Sequence, residues 1–204
     1  MKKLFLTSAM ILAVGAANAA NPYASLKAGY ANSSLKYGYE DSFFDRHGNF
    51  DGFTLAAAGG LAFAVDPAVT LRGEVEYAYT DVSAKPENWW GDPKLSVSGN
   101  TIMLNGYADF GYESWAVKPY VGFGAGFGFG NKFEIKYSGS GHKNDMWDGF
   151  AYAGMVGASW QATNHLAVDL ELKYKVLNGA NYDWWYERTD FITRSVMLGA
   201  RYAF

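Results

Sequence analysis

Apolar and polar side chains alternate one for one through segment after segment of this chain, and few folds can use that pattern so many times. From Val69 onward, Val69, Leu71, Gly73, Val75, Tyr77 and Tyr79 fall on one face, with Thr70, Arg72, Glu74, Glu76, Ala78 and Thr80 on the other. From Leu166 onward, Leu166, Val168, Leu170, Leu172, Tyr174 and Val176 face away from Asp169, Glu171, Lys173 and Lys175. A period of two marks a strand, because successive side chains leave a pleated backbone on opposite sides. Six more segments read alike: Leu26 to Tyr30, Phe53 to Phe63, Ile102 to Phe110, Pro119 to Phe129, Tyr152 to Trp160, and Val196 to the terminal Phe204. Eight strands result.

The connections between them alternate between short and long. Short turns fall at Asp66-Pro67, Glu113-Ser114 and Thr163-Asn164, where Gly, Asp, Asn and Pro supply turn chemistry. Long polar loops are expected from about Asn32 to Gly52, Asp81 to Asn100, Gly130 to Asp148 and Asn178 to Asp190, all at one end of the strand set. With 204 residues the chain suits one domain. Half of it is apolar, yet mean hydropathy is −0.13, so the apolar residues are interleaved and not gathered into spanning helices. The 7 Trp, 15 Tyr and 14 Phe rule out disorder. A net charge of −3 without a basic block excludes the electrostatic footprint of nucleic-acid binding. The absence of cysteine removes disulfides, thiolate nucleophiles and Cys-based zinc sites.

Residues 1–19 have the pattern of a secretory signal peptide: Lys2 and Lys3, an apolar run from Leu4 to Val14, then small residues to Ala19. The run is too short to cross a bilayer core of about 30 Å as a helix. Cleavage is expected after Ala19, leaving 20–204 as the exported domain.

The two faces of the strands decide the solvent. One is bulky and apolar; the other mixes glycine, alanine, serine and charge. Gly122, Gly124, Gly126 and Gly128 stand opposite Pro119, Val121, Phe123, Phe127 and Phe129, as the cramped inner wall of a small barrel requires. The apolar face must then point outward, and a closed barrel with an apolar exterior needs lipid around it. Rings near strand ends, Tyr23, Phe53, Phe63, Tyr79, Phe110, Phe129, Tyr152, Trp160, Tyr174 and Tyr202, fit girdles at the two bilayer surfaces. The expected fold is an all-β, eight-stranded antiparallel up-and-down transmembrane β-barrel, monomeric, in contact with outer-membrane lipid and lipopolysaccharide.

The runs Asn105-Gly106-Tyr107-Ala108-Asp109-Phe110-Gly111 and Lys118-Pro119-Tyr120-Val121-Gly122-Phe123-Gly124-Ala125-Gly126, with the closing Tyr202-Ala203-Phe204, resemble the outer-membrane β-barrel domain family. That family includes opacity-type surface antigens and small barrels similar to outer-membrane proteins A and X. The resemblance implies a place in the bacterial outer membrane, with the long loops outside the cell. It also implies that Val196, Leu198, Ala200, Tyr202 and Phe204 form the signal read by the barrel-assembly machinery. No cell-wall-binding module like that of full-length outer-membrane protein A is expected, the sequence stopping at Phe204.

Three sets of side chains are candidates for function. Inside, Arg72, Lys118, Lys173, Lys175 and Arg201 face Glu74, Glu76, Asp109, Asp169 and Glu171, an ion-pair network suited to a plugged interior. Outside, Phe43, Phe44, Phe50, Trp89, Trp90, Trp147, Tyr182, Trp184, Trp185 and Tyr186 sit in the long loops, as a contact surface for a host or cell-surface ligand or as part of the outer girdle. Last, His47 with Asp45 and Asp51, and His142 with Ser140, Asp145 and Asp148, have the composition of a hydrolytic rim. Such neighbours arise by chance in polar loops, and neither set shows a tight metal-ligand spacing. The expectation is a structural and surface-interacting, adhesin-like protein without catalysis, cofactor or metal. A narrow porin-like channel is the alternative, and a rim hydrolase a more distant one.

Overall fold

The protein is described by a computed structural model covering residues 20–36, 50–85, 94–112, 114–137, 140–145, 148–178 and 190–204. Its strands are β1 (Ala20–Lys36), β2 (Phe50–Asp66), β3 (Val69–Ala84), β4 (Lys94–Phe110), β5 (Val117–Tyr137), β6 (Ser140–Asp145), β7 (Gly149–Gln161), β8 (Leu166–Asn178) and β9 (Asp190–Ala203). Eight of them form a closed antiparallel barrel in which each pairs with the next, β5 with β7, and β9 with β1. The closing seam runs from Tyr23 opposite Ala203 to Lys36 opposite Asp190. Closure leaves no open sheet edge around the wall, the condition for a sheet to stand in lipid.

Two of the short turns are held by side-chain oxygens. Asp66 Oδ1 accepts from the Ala68 amide at 2.9 Å. Thr163 Oγ1 accepts from the Leu166 amide at 3.0 Å. In the third, Gly111 takes φ 139°, a conformation that a side chain would strain.

The opposite end differs from expectation. Much of what reads as loop is strand: β1 runs on to Lys36, β3 to Ala84 and β5 to Tyr137, while β4 begins at Lys94. β6 is a ninth strand that pairs with the end of β5 alone among the described strands, from Lys132 opposite Asp145 to Tyr137 opposite Ser140. Ladder hydrogen bonds are made by the backbone, so polar side chains above the bilayer do not end a strand.

Burial divides the two faces as the alternation requires. Leu26 and Leu104 are each 68% exposed and Phe123 62%, whereas Glu74 and Glu171 are 2% and 1% exposed. In water that distribution would be inverted. Tyrosines mark the edge of the apolar band toward the long connections. Tyr30 donates to Asp51, Tyr77 to Asn100 at 2.6 Å and Tyr79 to Asp81 at 3.2 Å, each with its ring on apolar wall and its hydroxyl on a polar rim.

Two aromatic assignments are corrected. Tyr23 is no girdle residue: it lies inside, 3% exposed, because the period that sends Leu26 outward sends residues 23, 25 and 27 inward. Phe50 is likewise no displayed ring. It is 3% exposed in an apolar cluster with Val82, Leu95, Val97, Leu177 and Phe191 that fills the barrel toward the long connections.

Candidate functional site

The interior is built in layers, each from side chains on several strands. Nearest the short turns, Arg72 on β3 makes a bidentate pair with Asp109 on β4, Nε to Oδ2 at 2.7 Å and Nη2 to Oδ1 at 2.8 Å. Its guanidinium also lies 4.4 Å from the Tyr107 ring centroid and 5.0 Å from that of Tyr120. Arg201 on β9 pairs with Asp169 on β8 at 3.2 Å and donates to Ser159 on β7 at 2.8 Å. Planar, forked and permanently charged, arginine suits such enclosed pairs.

The next layer is organised by Lys27 on β1, whose ammonium stands 3.2 Å from Glu74, 3.2 Å from Glu76 and 3.1 Å from Glu171. Lys173 approaches Glu76 at 2.6 Å and Glu171 at 3.2 Å. Tyr23 and Tyr107 donate to Glu74 at 2.9 and 3.0 Å, and Asn105 does so at 3.3 Å. Three carboxylates held by two ammonium groups and several neutral donors are an enclosed network whose members are nearly all satisfied. Glycine makes room for it. A Cβ on Gly122 would stand 2.4 Å from the Tyr107 ring, and one on Gly124 2.0 Å from Asn105 Oδ1.

Met103, Met155 and Met197 pack in the interior as well, each almost fully buried. Toward the long connections the lining turns apolar at the cluster around Phe50. Among the described residues the interior is thus charged toward the short turns and packed with an apolar cluster toward the long connections.

Of the ten interior residues expected from the alternation, Arg72, Glu74, Glu76, Asp109, Asp169, Glu171, Lys173 and Arg201 meet in these pairs. Lys118 is half-buried at the short-turn rim, and Lys175 is buried; neither has an ion pair with a described residue. Lys27, which the sequence reading omits, occupies the centre. The same parity that places Tyr23 inside would have found it.

The signal segment 1–19, the rings Phe43, Phe44, Trp89, Trp90, Trp147, Tyr182, Trp184, Trp185 and Tyr186, and His47 all lie outside the described residues, as does the side chain of His142. His165, in a short turn, sets Nδ1 3.0 Å from the Ala203 carbonyl and stacks on Tyr202. Among the described residues no three His, Asp or Glu side chains gather as metal ligands. Val196, Leu198, Tyr202 and Phe204 are exposed on the outer face of the last strand, with Ala200 between them.

A closed antiparallel barrel with an apolar exterior and a charged, packed interior defines an integral membrane protein that crosses with strands. The sequence model of the outer membrane protein beta-barrel domain matches residues 5–204, and the chain belongs to that family of bacterial outer-membrane proteins. Among solved structures, Neisserial surface protein A superposes with a TM-score of 0.53 at 19% identity, covering 89% of this chain and 97% of that one. Ail, the attachment invasion locus protein of Yersinia pestis, gives 0.44 at 19%, over 89% and 98%. The Escherichia coli outer membrane protein W gives 0.41 at 19%, over 89% and 97%. At such identities the likeness concerns the fold. A search of curated proteins finds no match.

Proposed function

We propose that this protein is a structural, surface-interacting outer-membrane barrel, a sealed scaffold whose long connections present aromatic side chains to a host or cell-surface ligand. One observation supports the reading: among the described residues the interior is packed, with charges paired toward the short turns and hydrocarbon toward the long connections. The surface offered to a ligand is then the set of connections holding Trp89, Trp90, Trp147, Tyr182, Trp184, Trp185 and Tyr186. Aromatic residues dominate the energetic centres of binding surfaces. Lipopolysaccharide and lipid are its membrane partners and the barrel-assembly machinery its partner in biogenesis; it acts without cofactor or catalysis.

The test is a binding screen of the purified barrel against matrix proteins and glycans, repeated with Trp184, Trp185 and Tyr186 replaced by Ala. Binding should fall while the barrel keeps its resistance to heat in detergent. Loss of folding together with binding would return these rings to the outer girdle. A narrow channel is the second reading, favoured by the column of charge inside the wall; planar-bilayer conductance at neutral pH in the unsubstituted protein would establish it in place of the first.

A further inference from the structure

Between the carboxylate layer and the apolar cluster, two buried polar groups lack partners among the described residues. Lys175 on β8 is 8% exposed, and its ammonium makes no ion pair or hydrogen bond with a described residue. Thr101 Oγ1 on β4 is buried without a hydrogen bond. Both line one small cavity, with Thr80 and Asn131 beside them and Leu177 and Phe191 in the apolar part of its wall. Its volume is about 20 Å³. A single water needs about 10–15 Å³, so the space holds one small species and excludes any organic ligand.

The lining also fixes the sign of the guest. No carboxylate lines this cavity; a second, smaller one that Lys175 shares with Glu76 lies beside it, and Glu76 is already engaged by Lys27 and Lys173. An ammonium can only donate, and the unpartnered Thr101 hydroxyl has a proton free to give. Lys175 offsets the surplus carboxylate of the layer below only at a distance, which supplies no hydrogen bond to its own head. A water would satisfy the hydroxyl but leave the ammonium without a counter-ion in contact, beside hydrocarbon, an unfavourable state for a buried ion. A cation is excluded by Lys175 itself. We propose that this cavity is a site for one monatomic anion of chloride size, held by Lys175 Nζ and Thr101 Oγ1.

The site is independent of any ligand bound by the long connections, so its test does not depend on finding one. Barrel refolded and crystallised in sodium bromide should show one anomalous bromine peak in contact with Lys175 Nζ. In detergent, thermal unfolding should occur at higher temperature in chloride than in gluconate, which is too large to enter, with a difference that saturates as chloride is raised. Lys175→Met should abolish that difference and Thr101→Val should reduce it, the second serving where the first does not fold. Absence of the bromine peak, with water at the position, overturns the proposal. So does a chloride effect of unchanged size in the variants.

Discussion

A single ammonium group stands between three carboxylates at the centre of the barrel, and removing it costs far more than removing one partner of a surface pair. Removing the charge of Lys27 leaves Glu74, Glu76 and Glu171 with only Lys173 among them. Breaking a buried pair by deleting one partner costs about 3–5 kcal/mol. Lys27→Met should lower stability by that order, read as a shift of the urea midpoint for unfolding from lipid vesicles. Adding Glu171→Gln to Lys27→Met should cost less than the two losses summed, since the second change removes a charge the first has stranded. At this scale legibility is uneven. Arg72, Glu74 and Glu171 are readable because charged residues recur at every second position of clearly alternating strands. Lys27 and Tyr23 escape because β1 advertises only Leu26, Ala28 and Tyr30, and a ring near a strand end looks like girdle unless its parity is counted. Lys118 lies one residue into β5, at a rim, and Lys175 far along β8, deep inside; alternation gives the face of each and not its depth.

Strand by strand, the most asymmetric wall is β5, whose inner face is largely glycine. A Cβ at Gly124 would stand 2.0 Å from Asn105 Oδ1, while one at Gly73 or Gly154, on the outer face, meets nothing within 4 Å. Gly124→Ala should therefore overpack the interior at a cost of about 1–3 kcal/mol. Gly73→Ala and Gly154→Ala should leave the same denaturation curve almost unmoved. The inner glycines are legible in advance, because a narrow barrel needs an empty position opposite each large inward side chain. The strand ends are not, because polarity changes where the bilayer stops and the ladder continues beyond it, as β3 and β5 do. The apolar cluster inside the wall is hidden for a related reason. Phe50, Val82, Leu95, Leu177 and Phe191 come from different strands, and inside the wall they reverse the rule that hydrocarbon faces lipid.

For the molecule as a whole, the direction of the apolar surface is the decisive property. Leu170 is half exposed near the middle of the outer wall. Leu170→Arg should destabilise the barrel in vesicles by roughly 2–4 kcal/mol, the cost of arginine at the bilayer midplane. On intact cells, added protease should cut between Asn178 and Asp190 and spare Thr163 to His165; cutting only after permeabilisation would reverse the orientation. The seam that joins the first strand to the last has a kinetic consequence. Tyr23 meets Ala203 across nearly the whole length of the chain, so a chain still lacking its final strand has two raw edges and no way to satisfy them in hydrocarbon. Contacts this distant in sequence form slowly. Insertion strand by strand from the N-terminal end would leave those edges unpaired in hydrocarbon, so closure of the wall waits on β9.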